Sequence, residues 1–113
     1  MTHVVAEPCV NCKYTDCVEV CPVDAFREGE NCLVISPDDC IDCTLCVSQC
    51  PVGAIHIEGE LPAKWAEWLA LNATFSRRWP VITRQKEPRA DHERWAAVAD
   101  KRAALSERPG GGD

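Results

Sequence analysis

Nine cysteines fall between Cys9 and Cys50, and the 63 residues that follow contain none. That crowding constrains the fold more than any other feature of the chain. A folded unit of about 60 residues buries too little apolar surface to be secure on its own. Units of this size rely on disulfides, metals or a partner, and here the cysteines are the obvious staples. Their number is odd, which argues against a closed set of disulfides. The first residues, Met1 to Pro8, show no basic segment followed by an apolar stretch, so no secretory signal is expected. The expected compartment is the cytoplasm, where thiols stay reduced. No run of the sequence approaches the roughly 18 apolar residues of a membrane span, and no membrane association is expected.

The cysteine region is an imperfect repeat. The first copy reads Cys9-x2-Cys12-x4-Cys17-x3-Cys21-Pro22-Val23-Asp24-Ala25-Phe26. The second reads Cys40-x2-Cys43-x2-Cys46-x3-Cys50-Pro51-Val52-Gly53-Ala54-Ile55. Cys17 and Cys21 recur in Cys46 and Cys50 at an offset of 29, whereas Cys9 and Cys12 recur in Cys40 and Cys43 at an offset of 31. The first copy therefore holds two extra residues between Cys12 and Cys17.

A thiolate is a soft ligand suited to iron–sulfur clusters or zinc. A lone Cys-x2-Cys is compatible with zinc, but the second copy is more specific. Its run, Cys-x2-Cys-x2-Cys-x3-Cys-Pro, is the bacterial iron–sulfur pattern in which the fourth cysteine binds the other of two clusters. By that crossover Cys40, Cys43 and Cys46 share a 4Fe–4S cluster with Cys21, and Cys50 serves the cluster of the first copy. In the first copy the wider loop displaces Cys12 relative to Cys17. One corner is then expected to lack a thiolate, and a cube short of one iron is a 3Fe–4S cluster, with Cys9, Cys17 and Cys50 as its ligands. The alternative is that Cys12 completes a second 4Fe–4S cluster. Cys32 reads as a buried thiol acting as a small apolar residue. His3, His56 and His92 lack paired ligand spacing and read as surface or strand residues.

On these residues, Cys9 to Asp24, Asp39 to Cys46 and Cys50-Pro51, the chain resembles the seven-iron bacterial ferredoxins, which carry one 3Fe–4S and one 4Fe–4S cluster. The resemblance continues through Leu71-Asn72-Ala73 and Trp79-Pro80, over about residues 1–105. It implies the same ligand sets, Cys9, Cys17 and Cys50 for three irons and Cys21, Cys40, Cys43 and Cys46 for four, with Cys12 not a ligand. The sequence departs from the family at Ala25, where members often have a further cysteine, and at Cys32, where they often have an apolar residue. The implied fold is α+β: a ferredoxin-type, two-cluster, pseudo-symmetric (βαβ)2 small domain with a C-terminal helical extension.

Local signals suit that architecture. Cys32 to Ile35, after the Gly29-Glu30-Asn31 turn, should pair with Ala25 to Arg27 as a hairpin. Thr2 to Val5 should pair with Ala54 to Glu58. Asp16 to Cys21 and Leu45 to Cys50 read as single short helices, each stopped by the following proline. Residues 1–60 thus form the cluster domain. Residues 61–108 form the extension, with Pro62 opening a helix from Ala63 to about Phe75 that places Trp65, Trp68, Leu69 and Asn72 at helical spacing. Asp91 is a candidate N-cap of a second helix, with Trp95, Val98, Arg102 and Leu105 on one face. The tryptophans read as packing anchors, not electron relays. Residues 109–113, rich in glycine, read as a disordered tail.

Net charge is −6, divided unevenly: residues 1–60 carry −9 and residues 61–113 carry +3. The basic half is expected to pack on the acidic one, leaving an acidic face that steers basic partners. Nucleic-acid binding lacks its basic footprint. No phosphate loop, dinucleotide fingerprint or nucleophile–base arrangement is present, so the chain is read as no enzyme. The expectation is a monomeric one-electron carrier serving a redox protein such as a ferredoxin reductase, a cytochrome P450 or a metabolic oxidoreductase. Low reduction potentials are expected within the roughly −700 to +450 mV span of such clusters. The competing readings are an electron-transfer subunit of a larger oxidoreductase, which an exposed apolar face on the C-terminal helices would favour, and a redox or iron sensor.

Overall fold

Among the described residues, four three-residue strands pair in nested order, the outer two with each other and the inner two with each other. A computed structural model describes residues 2–21, 23–40, 46–50, 53–86, 92–96, 98 and 102–111. Strand β1, His3–Val5, pairs antiparallel with β4, Ile55–Ile57, with Val4 opposite His56. Strand β2, Phe26–Glu28, pairs antiparallel with β3, Leu33–Ile35, with Arg27 opposite Val34. The Gly29 N–H closes this hairpin on the Cys32 carbonyl at 2.9 Å. Both expected pairings are present. The sequences His-Val-Val and Leu-Val-Ile do not alternate, and every residue of β1 and β3 is buried, as continuous apolar runs are when covered on both faces.

Between the strands, the short helix expected in each copy is a single 3-10 turn, at Val18–Val20 and at Val47–Gln49. Three residues between two cysteines are too few to propagate an α-helix, and a proline follows each second cysteine. Together these elements make a small α+β unit with two two-stranded sheets.

The C-terminal residues cover it. After a 3-10 turn at Ala63–Trp65, helix α1 spans Glu67–Ser76 and buries Trp68, Asn72, Phe75 and Ser76 at helical spacing. Helix α2 spans His92–Ala96, and a further 3-10 turn spans Arg102–Ala104. The proposed cap Asp91 lies outside the described residues, as does the His92 side chain. Residues 80–82 run along the open edge of β2: the Glu28 N–H donates to the Pro80 carbonyl at 2.8 Å and the Ile82 N–H to the Phe26 carbonyl at 3.2 Å. An open edge invites pairing with other chains, and here the chain's own extension occupies it.

Pro109 and Gly110, which the sequence places at the start of a glycine-rich tail, meet the β2–β3 hairpin. Pro109 bridges Gly29, and the Gly110 N–H donates to the Glu28 carbonyl at 2.8 Å. The physical reason is fit. A Cβ on Gly110 would come within 2.6 Å of the Glu28 side chain, and one on Gly29 within 2.5 Å of the Trp79 ring. Trp79 in turn stacks on Phe75 with ring centroids 4.6 Å apart and donates its indole N–H to the Glu107 carbonyl. Among the described residues no helix is long and apolar enough to cross a membrane.

Asn72 joins helix to sheets. Its Oδ1 accepts from the Val5 N–H of β1 at 3.0 Å and from the Ile35 N–H of β3 at 2.9 Å. Its Nδ2 donates to the Val5 and Trp68 carbonyls at 2.9 and 2.7 Å. One fully buried amide thus satisfies strand groups in both sheets that have no water to turn to. Asn72→Ala strands two N–H groups and a carbonyl, each worth roughly 1–3 kcal/mol when buried without a partner. The variant is expected to bleach its visible absorption at markedly lower guanidinium concentration than the native protein. An unchanged midpoint would show that the clamp contributes nothing.

Candidate metal centre

The cysteines sit on backbone that repeats with the sequence. Cys17 precedes its 3-10 turn at φ −71°, ψ −24°, and Cys46 precedes the other at φ −70°, ψ −27°. Cys21 and Cys50 leave those turns in extended conformation, with ψ 115° and 114°. Three residues on, Asp24 and Gly53 are left-handed, at φ 54° and 63°. That reversal brings the next N–H back to the cysteine: Ala25 N–H donates to Cys21 Sγ and Ala54 N–H to Cys50 Sγ, both at 3.3 Å.

The strands supply two more donors. The Leu33 N–H of β3 donates to Cys9 Sγ, and the His3 N–H of β1 to Cys40 Sγ, each at 3.4 Å. Peptide N–H groups aimed at sulfur stabilise thiolate, and in iron–sulfur sites they tune the potential. None of the eight described cysteines is disulfide-bonded.

Burial separates the proposed ligands. Cys9, Cys17 and Cys46 are at most 7 % exposed, whereas Cys21, Cys40 and Cys50 are half-buried. Burial pushes the Cys17 thiol far above its ordinary range, and the nearby Cys9, Cys50 and Cys46 sulfurs push it further, in that order. Among the described residues no group of three or more His, Cys, Asp or Glu side chains is placed to hold a single metal ion. Thiolate is the soft donor that iron–sulfur clusters take, and thiols buried near one another ionise together only where positive charge joins them, so the donor chemistry fits an iron–sulfur cluster. Cys43 and the rest of residues 41–45, with Pro22, Pro51 and Val52, lie outside the described residues.

The remaining sequence candidates are placed as follows. Cys12 is fully buried, and so is Cys32, whose Sγ lies 3.3 Å from the Leu33 carbonyl oxygen. His3 is a strand residue, yet its Nδ1 is 3.8 Å from Cys40 Sγ, a proximity that no spacing rule reveals. His56, on β4, has its ring centroid 5.5 Å from that of Trp65. Asp24, Asp38, Asp39 and Glu19 are exposed. Asp24 and Asp39 meet at Arg27, which bonds the Asp39 carboxylate at 2.7 Å and the Asp24 carbonyl at 2.9 Å. The extension covers the first-copy loop: Thr15 and the Lys86 backbone bond each other both ways, and the Gln85 amide donates to Asp16 at 3.0 Å.

Glu28 went unnoticed in the sequence. It is 2 % exposed, with its two carboxylate oxygens 2.8 Å from Lys13 and 2.8 Å from Lys86. A Glu in a short strand carries no local signal of burial. Only the convergence of two lysines from distant segments makes it tolerable.

Residues 33–56 match the model of a 4Fe-4S binding domain, and residues 66–107 that of a domain of unknown function, DUF3470. The chain is 50% identical over 113 residues to "Ferredoxin-1" of Caulobacter vibrioides, across 99% of both chains. It is 48% identical over 101 residues to "Ferredoxin" of Rickettsia felis, across 89% of this chain and 92% of that one.

Glu28→Gln removes the charge between the two lysines. Breaking a buried pair costs roughly 3–5 kcal/mol. The lower end is expected here because Lys86 is 39% exposed and can turn to water. Chemical denaturation of the metal-loaded variant checks this, and native-like stability would mean the pairing is immaterial.

Proposed function

Because this chain belongs to the bacterial ferredoxin family, whose members are iron–sulfur electron carriers, we propose that it carries single electrons on one 3Fe–4S and one 4Fe–4S cluster. An iron–sulfur cluster supplies a one-electron site whose charge is spread over several metals and sulfurs. Cys9, Cys17 and Cys50 hold the three-iron cluster, and Cys21, Cys40, Cys43 and Cys46 the four-iron cluster. Cys12 is not a ligand. What carries this reading is the cysteine spacing: the second copy keeps the Cys-x2-Cys-x2-Cys-x3-Cys-Pro run, and the first holds two extra residues between Cys12 and Cys17.

The matched turns, left-handed residues and N–H···S bonds of Cys21 and Cys50 support a pseudo-symmetric (βαβ)2 arrangement with exchanged fourth ligands. Residues 1–60 form the cluster domain in this reading, and residues 61–108 form an extension laid over it. The chain's own groups then divide the work. Backbone N–H groups stabilise negative sulfur, the extension excludes water from the first-copy loop, and the half-buried Cys21, Cys40 and Cys50 lie nearest to solvent among the described cysteines.

No catalytic step is assigned to any residue. The protein is taken to act as a monomer in the cytoplasm, and its partner is a redox protein with a basic face: a ferredoxin reductase, a cytochrome P450 or a metabolic oxidoreductase. The acids beside the four-iron ligands, Asp24, Asp38 and Asp39, with Val23 exposed among them, suit brief, charge-steered docking. The large apolar side chains exposed among the described residues are four single valines. The tryptophans of α1 and the following turn, Trp68 and Trp79, are buried.

Two measurements test the reading. In oxidised, anaerobically purified protein, EPR is expected to show close to one spin per chain together with about seven irons, since three ferric ions leave an odd electron and an oxidised 4Fe–4S cluster is silent. Silence with about eight irons would replace the three-iron site by a second 4Fe–4S cluster. Reduction of a basic partner is expected to slow by roughly tenfold as ionic strength is raised, and a salt-insensitive rate would remove the acidic docking face.

A further inference from the structure

Cys12 is held between two residues with unusual backbone. Asn11 has φ 62° and Lys13 has φ 47°, both in the left-handed region, which asparagine enters more readily than most side chains and lysine seldom does. Such conformations persist where their surroundings over-determine them, and both residues are tied down.

The Asn11 N–H donates to the Asn31 carbonyl at 2.9 Å, and Asn31 Nδ2 donates back to Asn11 Oδ1 at 2.9 Å. Asn31 is fixed in turn by the extension: its Nδ2 donates to the Ala104 carbonyl at 2.8 Å, and its Oδ1 accepts from the Ser106 N–H at 3.0 Å. Lys13 Nζ pairs with buried Glu28 at 2.8 Å and donates to the Glu30 carbonyl at 3.3 Å. Both the Cys12 and the Lys13 N–H groups return to the Cys9 carbonyl, at 3.1 and 2.8 Å. Every one of these ties flanks a fully buried cysteine.

We propose that Asn11 and Lys13 determine the metal content of the first site, by holding the Cys12 segment in a backbone that keeps its sulfur off the cluster bound by Cys9, Cys17 and Cys50. This rests on the three-iron reading above. The wider Cys9-to-Cys17 loop alone does not bar Cys12, because two extra residues add slack as well as distance. The anchors remove the slack. Lys13 stands directly after Cys12, where the additional residues enter, and its ion pair spans to the β2–β3 hairpin. Asn11 reaches the turn of the same hairpin. The hairpin and the extension behind it thus set where Cys12 points, and Asn11 and Lys13 act as positioning residues without binding metal themselves.

Releasing the anchors should let Cys12 complete the cube. Completion takes up one ferrous ion and one electron, which a ferrous salt and dithionite supply. The Cys12 thiol loses its proton to solvent, and its thiolate forms the bond to the added iron.

The test compares native holoprotein with the double variant Asn11→Gly, Lys13→Gly. Glycine occupies both φ values without strain, and Glu28 retains Lys86. Each protein is incubated anaerobically with ferrous salt and dithionite, desalted, reoxidised gently, and assayed for EPR spin and iron. Native protein is expected to keep its three-iron signal and about seven irons, while the double variant loses about nine-tenths of the signal and rises to about eight irons. Adding Cys12→Ala to the double variant is expected to restore the signal.

A double variant that resists conversion as the native protein does would overturn the proposal, as would loss of signal that persists with Cys12→Ala. A native protein that is silent with about eight irons before any treatment overturns the three-iron reading itself, and the lock with it. Should the double variant fail to hold iron, Asn11→Gly and Lys13→Met are tested singly. Each is expected to convert faster than native, and native-like resistance in both overturns the lock.

Discussion

Sulfur that is both ionised and buried is not tolerated in a protein interior unless positive charge and hydrogen-bond donors surround it. Much of this molecule answers that constraint. Cys9, Cys17 and Cys46 are withdrawn from solvent. Cys9, Cys21, Cys40 and Cys50 each receive a peptide N–H from a strand or from the turn that follows a left-handed residue. The strands are short because their ladders are only part of their task. β1 and β3 each aim one N–H at a sulfur, and each aims another at Asn72.

The extension does what a unit of about 60 residues cannot do for itself. Helix α1 closes one side through Trp68 and Asn72. Residues 80–82 occupy the edge of β2. Trp79 lies on Gly29, and Gly110 lies on Glu28. Lys86 brings one of the extension's positive charges to a buried carboxylate of the acidic half. Glu19, Asp24 and Asp38 keep their negative charge at the surface. Cys9 is met by a strand N–H, and Asn11, beside Cys12, is tied to the hairpin turn and, through Asn31, to Ala104 and Ser106.

Much of this could be read in the sequence because it follows from local rules. Cysteine spacing names the chemistry, since a tight Cys-x2-Cys-x2-Cys loop cannot enclose a cluster by itself. The hairpin and the pairing of β1 with β4 follow from short apolar runs bounded by turns. The helix around Trp68 and Asn72 follows from periodicity. Other features carry no local mark. The two short helices became 3-10 turns because the distance between cysteines leaves room for nothing longer. Gly110 carries no mark in the sequence, yet it lies close against Glu28 in a place that exists only once the hairpin is folded. Glu28 reads as an ordinary polar strand residue, and His3 as an ordinary strand end.

The sequence by itself determined that thiolates would hold metal, in two related copies, and that a basic segment would follow an acidic one. Those properties depend on residue type and on separations of a few positions, which the chain cannot lose on folding. Only the tertiary structure decided which N–H groups face which sulfurs, that Asn72 serves both sheets, and that Lys13 and Lys86 share one carboxylate. Each of these joins residues tens of positions apart, and no short-range preference of the backbone or of a side chain encodes such a meeting.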